Sequence, residues 1–281
     1  MMWKVLTILI LIAAILGGAG YFVYETYLKP RKLDKMEQEA AAVPTPPPPP
    51  DPSIAAFEVI RPYLDADTPE ARNALGGFVK SFPDSAQAKA AKAALGRING
   101  VLTLSPVPGT DKTTYTVVSG DSLVKIAAKF KTGAELIYRA NGLTTINLKI
   151  GQRLEIPQLD TAVVVDRAAG TVTVSNRGDF FREYVAESMK LPASIGTEPV
   201  KTAVNDKFML KGSGRIPFGA KDYESGDRWI TLGAGGLAIR GMPAPGAAGQ
   251  KPPVPPGIVL SPGDAAELFV LVSKGTPVTI N

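Results

Sequence analysis

The chain has no cysteine and no histidine in its 281 residues, and these two absences exclude more chemistry than any motif in it offers. Without thiols there is no disulfide, no cysteine-ligated metal and no lipid-modified cysteine anchor, so each domain must hold together by burial and hydrogen bonding. Without imidazole there is no histidine base, the usual proton acceptor for a serine or cysteine nucleophile. Carboxylates alone remain as metal ligands, and Asp222, Glu224 and Asp227 read as a polar loop. No glycine-rich phosphate loop follows a strand pattern, and Gly233-Ala234-Gly235-Gly236 reads as a turn between apolar runs. Aromatic residues make up only 7% of the chain and the formal net charge is a modest +5. That excess, with no interleaving of aromatic and basic residues, argues against nucleic acid as a partner. No metal and no cofactor is expected.

What is present begins with an apolar run. Val5 to Val23 is broken only by Thr7 among polar residues, and at the helical rise it reaches about 28 Å, enough to cross a bilayer. Residues 1–30 therefore read as a single-pass transmembrane signal anchor with its flanks, which makes the membrane a partner. A cleaved signal peptide is the alternative, since Gly18-Ala19-Gly20 suits a cleavage site. Lys29, Arg31, Lys32 and Lys35 follow the run and only Lys4 precedes it, a charge bias that opposes an outward C-terminus. Long domains translocate largely regardless of flanking charge. Residues 31–52 read as a polar stalk and a linker in which Pro44, Pro46 to Pro50 and Pro52 enforce an extended polyproline conformation. Residues 53–100 read as about three short helices. Their breaks fall at Asp67-Thr68-Pro69 and Phe82-Pro83-Asp84, with Thr68 capping one helix and Asp84 and Gln87 forming a capping box for another. Only one tetratricopeptide-like repeat is present and a solenoid needs about three, so a small helical bundle, or an element docking a protein partner, is expected. Residues 101–112 read as a linker.

Residues 113–158 give the densest signal. Tyr115-Thr116-Val117-Val118 reads as a strand, and Asp121 reads as the cap of a helix carrying Leu123, Ile126, Ala127 and Phe130. Thr132 and Glu135 read as the capping box of a second helix ending near Asn141-Gly142, and Leu148 to Ile156 as a closing strand stopped by Pro157. Lys112, Lys125, Lys129, Lys131, Arg139, Lys149 and Arg153 concentrate positive charge here. In Gly120-Asp121-Ser122-Leu123, Asn141-Gly142-Leu143 and Ile150 to Pro157, this unit resembles a LysM module. The resemblance implies a βααβ fold that binds peptidoglycan or another N-acetylglucosamine polymer in a groove between two loops. Carried onto this chain, the groove would be Gly120, Asp121, Ser122 and Leu123 facing Asn141, Gly142, Leu143, Thr144 and Ile146. Loop backbone would bond acetamido groups, and Leu123, Leu143 and Ile146 would meet the acetyl methyls. Gly120 and Gly142 as plain turn glycines, Asp121 as a cap and Leu123 as core form the blander reading.

From residue 159 to 281 the pattern turns mainly to strands: Thr161 to Asp166, Thr171 to Ser175, Trp229 to Leu232, Leu237 to Ile239, Ile258 to Leu260 and Val278 to Ile280. One helix, with Asp264 and Glu267 as its capping box and Leu268, Phe269, Leu271 and Val272 on its apolar face, precedes the last strand. Gly226 to Leu232, Leu268 to Val272 and Gly275 to Ile280 resemble the L,D-transpeptidase domain, which cross-links peptidoglycan stem peptides. That family uses a cysteine activated by a histidine in an S-H-G-C-I-R motif preceded by I-H-G-T. Here Ile239-Arg240-Gly241-Met242 stands at the second motif. The first falls on Val254 to Val259, with Pro255 at the histidine, Gly257 at the nucleophile and Val259 at the arginine. Ser261 follows as a turn residue, and Arg240 offers a guanidinium fork for a carboxylate.

The fold class expected is therefore multidomain α+β: a transmembrane helix, a small helical segment, a βααβ LysM module and a mainly-β L,D-transpeptidase-like domain. The function expected is a membrane-anchored cell-envelope protein with its C-terminal domains outside the cytoplasm. It would bind peptidoglycan through the LysM module and use a catalytically silent second domain as another binding surface, a pseudoenzyme with no catalytic residue. The alternatives are a divergent transpeptidase or hydrolase with a non-cysteine nucleophile, and a scaffold recruiting wall-building enzymes.

Overall fold

The structure is a computed structural model that describes residues 2–29, 31–32, 34–36, 51–212, 214–242 and 257–281. The expected polyproline linker and the Pro255 position lie outside the described residues. The chain divides into two units, Met1–Pro50 and Asp51–Asn281.

In the first unit the apolar run forms α1 (Met2–Val23), continued by a π-helical turn over Tyr24–Leu28. Val5–Leu28 is long and apolar enough to cross a membrane. The side chains of Val5–Leu28 are exposed, Glu25 alone being partly covered.

The second unit opens with α2 (Pro52–Ile60), α3 (Pro69–Ser81) and α4 (Ala88–Thr103). Thr68 caps α3 as expected, its hydroxyl accepting from Ala71 N at 3.2 Å with Pro69 in the first turn. The Asp84–Gln87 box does not form: α4 starts at Ala88 without a side-chain cap, and Gln87 Oε1 instead accepts from the Ser53 hydroxyl of α2 at 3.3 Å. Leu75, Phe78, Leu95 and Ile98 are the centre of the helical core. The opposite face of α4 is also covered. Gly96 and Gly100, one turn apart, let the paired Arg182 and Glu267 approach so closely that a Cβ would lie 3.0 Å from Arg182 Cδ and 2.7 Å from Glu267 Oε1. Asn99 Nδ2 donates to the Phe181 carbonyl at 2.9 Å. The small-residue stripe of α4 thus seats the chain's own C-terminal domain.

β1 (Lys112–Thr116), α5 (Leu123–Phe130), α6 (Ala134–Ala140) and β2 (Arg153–Pro157) follow in the expected βααβ order. The two strands pair antiparallel with Tyr115 opposite Leu154, over a core of Val117, Leu123, Ile126, Ile137, Leu154 and Ile156. Both caps differ from the sequence reading. Ser122, not Asp121, caps α5 through its hydroxyl to Lys125 N, and α6 is entered by Gly133 with no side-chain cap because Glu135 is bonded elsewhere.

The remaining strands form a ten-stranded sheet. Their ranges are β3 (Thr161–Asp166), β4 (Thr171–Asn176), β5 (Asp179–Val185), β6 (Ser188–Lys190), β7 (Val200–Lys211), β8 (Gly214–Ile216), β9 (Asp227–Leu232), β10 (Ala238–Gly241), β11 (Gly257–Leu260) and β12 (Pro277–Ile280). Their order is β5-β4-β3-β12-β7-β9-β10-β11-β6, with β8 on β7. Four of these strands, β5 to β8, are absent from the sequence reading. The longest, β7, buries only Val204 and Met209 and shifts register between Val204 and Asp206, so no period of two marks it. The helix α7 (Pro262–Leu271) buries Leu268 and Phe269 against the sheet. Its cap is Ser261, whose Oγ accepts from Asp264 N at 3.1 Å and donates to Asp264 Oδ2 at 2.8 Å.

Candidate functional site

Two places hold the residues singled out by sequence, and the fold treats them differently. In the βααβ unit both loops hang on β2. Val117 O accepts from Gly151 N at 2.8 Å and Val117 N donates to Gln152 O at 2.9 Å, which ties the first loop to the entry of the strand. Asn141 ties the second loop to its middle: Nδ2 donates to Glu155 O at 2.8 Å and to Ile137 O at 2.8 Å, while Oδ1 accepts from Glu155 N at 2.7 Å. Its amide is committed to the fold. Leu123 is only 2% exposed and belongs to the core, so it is not placed to meet an acetyl group. Asp121 Oδ2 accepts from Tyr115 OH at 2.8 Å and Val118 N at 2.9 Å, and these bonds hold its carboxyl below the usual range. Ser122 is engaged as the α5 cap.

What remains open to a ligand is mostly backbone with a few side chains. Gly120 and Gly142 are exposed and take left-handed φ values of 83° and 57°, with empty space where a Cβ would lie. Leu143 is half-buried against the core, and Thr144, Thr145 and Ile146 are exposed. The basic excess is smaller than the sequence count implies. Lys112 Nζ donates to the carbonyls of Leu102, Ser105 and Val107, and burial lowers its pKa. Arg139 binds Glu135 and Glu224.

The sequence reading missed the joint between this unit and the large sheet. Glu135, 5% exposed, accepts from Tyr223 OH at 2.6 Å and from Arg139 Nε at 3.0 Å, and Arg139 also reaches Glu224 at 2.9 Å. Burial and the Glu135 carboxylate push the Tyr223 pKa up, so this phenol stays a donor. The Thr132-Glu135 spacing gave the only hint, and it pointed to a cap.

The second place is the parallel pair β10–β11. Its register sets Ile239 opposite Ile258 and Arg240 opposite Val259, so two of the four positions that the resemblance assigns to the transpeptidase motifs stand side by side. Val259 is fully buried, an aliphatic side chain in the sheet interior where the related motif carries arginine. The Arg240 guanidinium lies 4.1 Å from the Trp229 ring centroid, and burial lowers its pKa against the opposing pull of Asp227. Gly257 has φ of 116°, and a Cβ there would come 2.6 Å from the Ala238 carbonyl oxygen. At Gly257, which the resemblance assigns to the nucleophile, two backbones come so close that no side chain is admitted unless one strand shifts. Ser261, the nearest hydroxyl along the chain, is spent in the α7 cap. Among the described residues no cluster of carboxylates is suited to a metal ion.

Residues 115–157 match the LysM domain model. A Bacillus subtilis protein named "Putative L,D-transpeptidase YkuD" is 28% identical over 177 residues, which cover 60% of this chain and 98% of that protein. The N-acetylmuramoyl-L-alanine amidase sle1 of Staphylococcus saprophyticus is 54% identical over 44 residues, 16% of this chain but only 14% of the amidase. A solved L,D-transpeptidase from Mycobacterium smegmatis is 22% identical over 47% of this chain and 64% of its own, with a TM-score of 0.30. The chain therefore carries a LysM domain and an L,D-transpeptidase-like region, the two modules of a cell-wall-associated protein.

Proposed function

We propose that this protein holds peptidoglycan at the cell envelope through its LysM domain and that its L,D-transpeptidase-like domain is a binding surface with no cross-linking activity. The observation that carries the second half is Gly257. At the nucleophile position there is no side chain, and the Ala238 carbonyl stands where a Cβ would go. No cysteine or histidine exists elsewhere in the chain to replace the missing pair, and thiolate attack needs both a sulfur and a base. In this reading α1 is a membrane anchor, and residues 51–281 lie outside the cytoplasm, where the polymer is. One shallow groove binds weakly, and tethering beside a repetitive polymer raises its effective ligand concentration.

The test has two arms. The full chain in detergent is expected to sediment with purified peptidoglycan, and Leu143→Asp, with its fold checked by circular dichroism, to lose most of that association. Incubation with a stem-tetrapeptide donor is expected to leave the intact mass unchanged. Failure to sediment removes the binding role, and an acyl adduct removes the silent-enzyme role.

A further inference from the structure

The Ile146 side of the LysM groove is not bare. The loop 217–224, between β8 and β9, lies against it, and Gly219, at φ of 88°, comes so near that a Cβ would sit 2.8 Å from Ile146 Cδ1. Phe218 stands edge-on to Tyr138 at 5.6 Å between ring centroids and to Tyr223 at 5.4 Å. Between the domains these contacts leave a cavity of about 280 Å³, whose lining includes Tyr138, Phe218, Thr144, Thr145 and Lys221.

We propose that this cavity is a second subsite of the LysM groove and that it takes the carboxylate-bearing peptide substituent of the polymer. The inference rests on the glycan-binding reading above. Thr144 and Ile146 belong at once to the sequence-derived groove and to the cavity wall, so a ligand held in one lies against the other. The aromatic residues offer apolar faces to aliphatic side chains, and the two threonine hydroxyls can donate to and accept from peptide groups. Charge decides which polymer fits. The carboxylate of Glu224, also in the lining, is matched by Arg139 at 2.9 Å and Arg228 at 3.2 Å. Asp222 of the same loop is matched by Lys211 at 2.7 Å, and Lys221, exposed and making no ion pair among the described residues, is left as the unmatched cation of the cavity wall. A stem peptide brings a carboxylate to that cation, whereas an unsubstituted N-acetylglucosamine chain brings none.

The experiment compares two probes on the full chain in detergent by titration calorimetry: a purified glycan oligomer carrying stem tetrapeptides and an N-acetylglucosamine hexamer. Lys221→Glu, a change on an exposed loop, is expected to weaken the stem-bearing probe about fivefold and leave the hexamer unchanged. The wild-type preference for the stem-bearing probe is expected to shrink as salt rises. A second variant, Ala220→Tyr, which fills the cavity from its own lining, is expected to lower the same preference without a charge change. If the wild type binds both probes equally and neither variant shifts their ratio, the subsite is overturned while the groove reading stands. If the wild type binds neither probe, the groove reading itself has failed.

Discussion

The LysM domain and the transpeptidase-like domain carry their motif positions in opposite ways. In the first, residues that resemblance assigns to the ligand also build the fold: Leu123 fills the core, Ser122 caps α5, and Asn141 laces the second loop to β2. In the second, the positions assigned to chemistry hold residues that serve the sheet. Val259 is interior packing, Gly257 admits the Ala238 carbonyl, and Arg240 stacks on Trp229. A motif whose residues hold the fold travels with the fold, whereas one whose residues only react can be exchanged while the architecture remains.

The sharpest way to break this comparison is to put the chemistry back. The double variant Gly257→Cys with Pro255→His, which returns the cysteine and its activating histidine to the positions the resemblance gives them, is expected to lose about 3–5 kcal/mol in denaturant unfolding, from a side chain forced to φ near 116° and from its clash with Ala238 O. It is also expected to form no acyl adduct by intact-mass analysis. A stable double variant that acylates would mean the domain lacks only residues and not room, and the contrast between the two regions would vanish.

The next effect lies in the LysM domain. Asn141→Leu removes three hydrogen bonds, two of them to the backbone of Glu155, and is expected to cost about 2–4 kcal/mol. Hydrogen exchange at β2 should speed up accordingly. If peptidoglycan association is lost while that protection stays, Asn141 touches the ligand directly and the shared role of fold and site is wrong.

These two sites also mark how far the sequence can be read. The βααβ unit is legible because its signals are local: apolar residues at helical spacing, turn glycines at 120 and 142, and Pro157 closing the strand. The caps are misread by one residue, since Asp121 and Ser122 are both good caps and only the strand contacts of Asp121 decide between them. The sheet domain is legible where strands alternate, as in β3 with Thr161, Val163 and Val165 inward, and is lost in β7, where a bulge breaks the period. What no local pattern carries is the partnering of remote groups. Glu135 with Tyr223 and the Gly96–Gly100 seat of Arg182 and Glu267 join residues far apart in the chain.

The joint between the two regions gives a smaller effect. Tyr223→Phe leaves Glu135 buried with Arg139 as its remaining partner, and a hydrogen bond to a charged group is worth about 1.5–3 kcal/mol. Unfolding of the LysM domain is expected to separate from that of the large sheet, visible as a second transition in calorimetry. A single unchanged transition would mean that the aromatic contacts around Phe218 hold the joint without the phenol.

The smallest effect is a pH dependence centred on Lys207 of β7. Lys207 Nζ donates to the carbonyls of Phe269 and Val272 at the end of α7, at 2.6 and 2.9 Å. Burial lowers its pKa to about 8, against the opposing pull of Glu135. Below that value the folded and unfolded chains both carry the proton, and the fold bears the full penalty of a buried ammonium. Between about 8 and the ordinary lysine value of 10.5, the folded chain releases the proton first. The unfolded state then binds more protons, so stability rises with pH. Tyr184 and Tyr223 act in the other direction only above the ordinary tyrosine value, because burial raises both. Denaturant midpoints between pH 7.5 and 9.5 are therefore expected to climb for the wild type and to climb less for Lys207→Met. Equal slopes would mean that the two carbonyls stabilise the ammonium as well as water does, and that the sheet holds Lys207 charged.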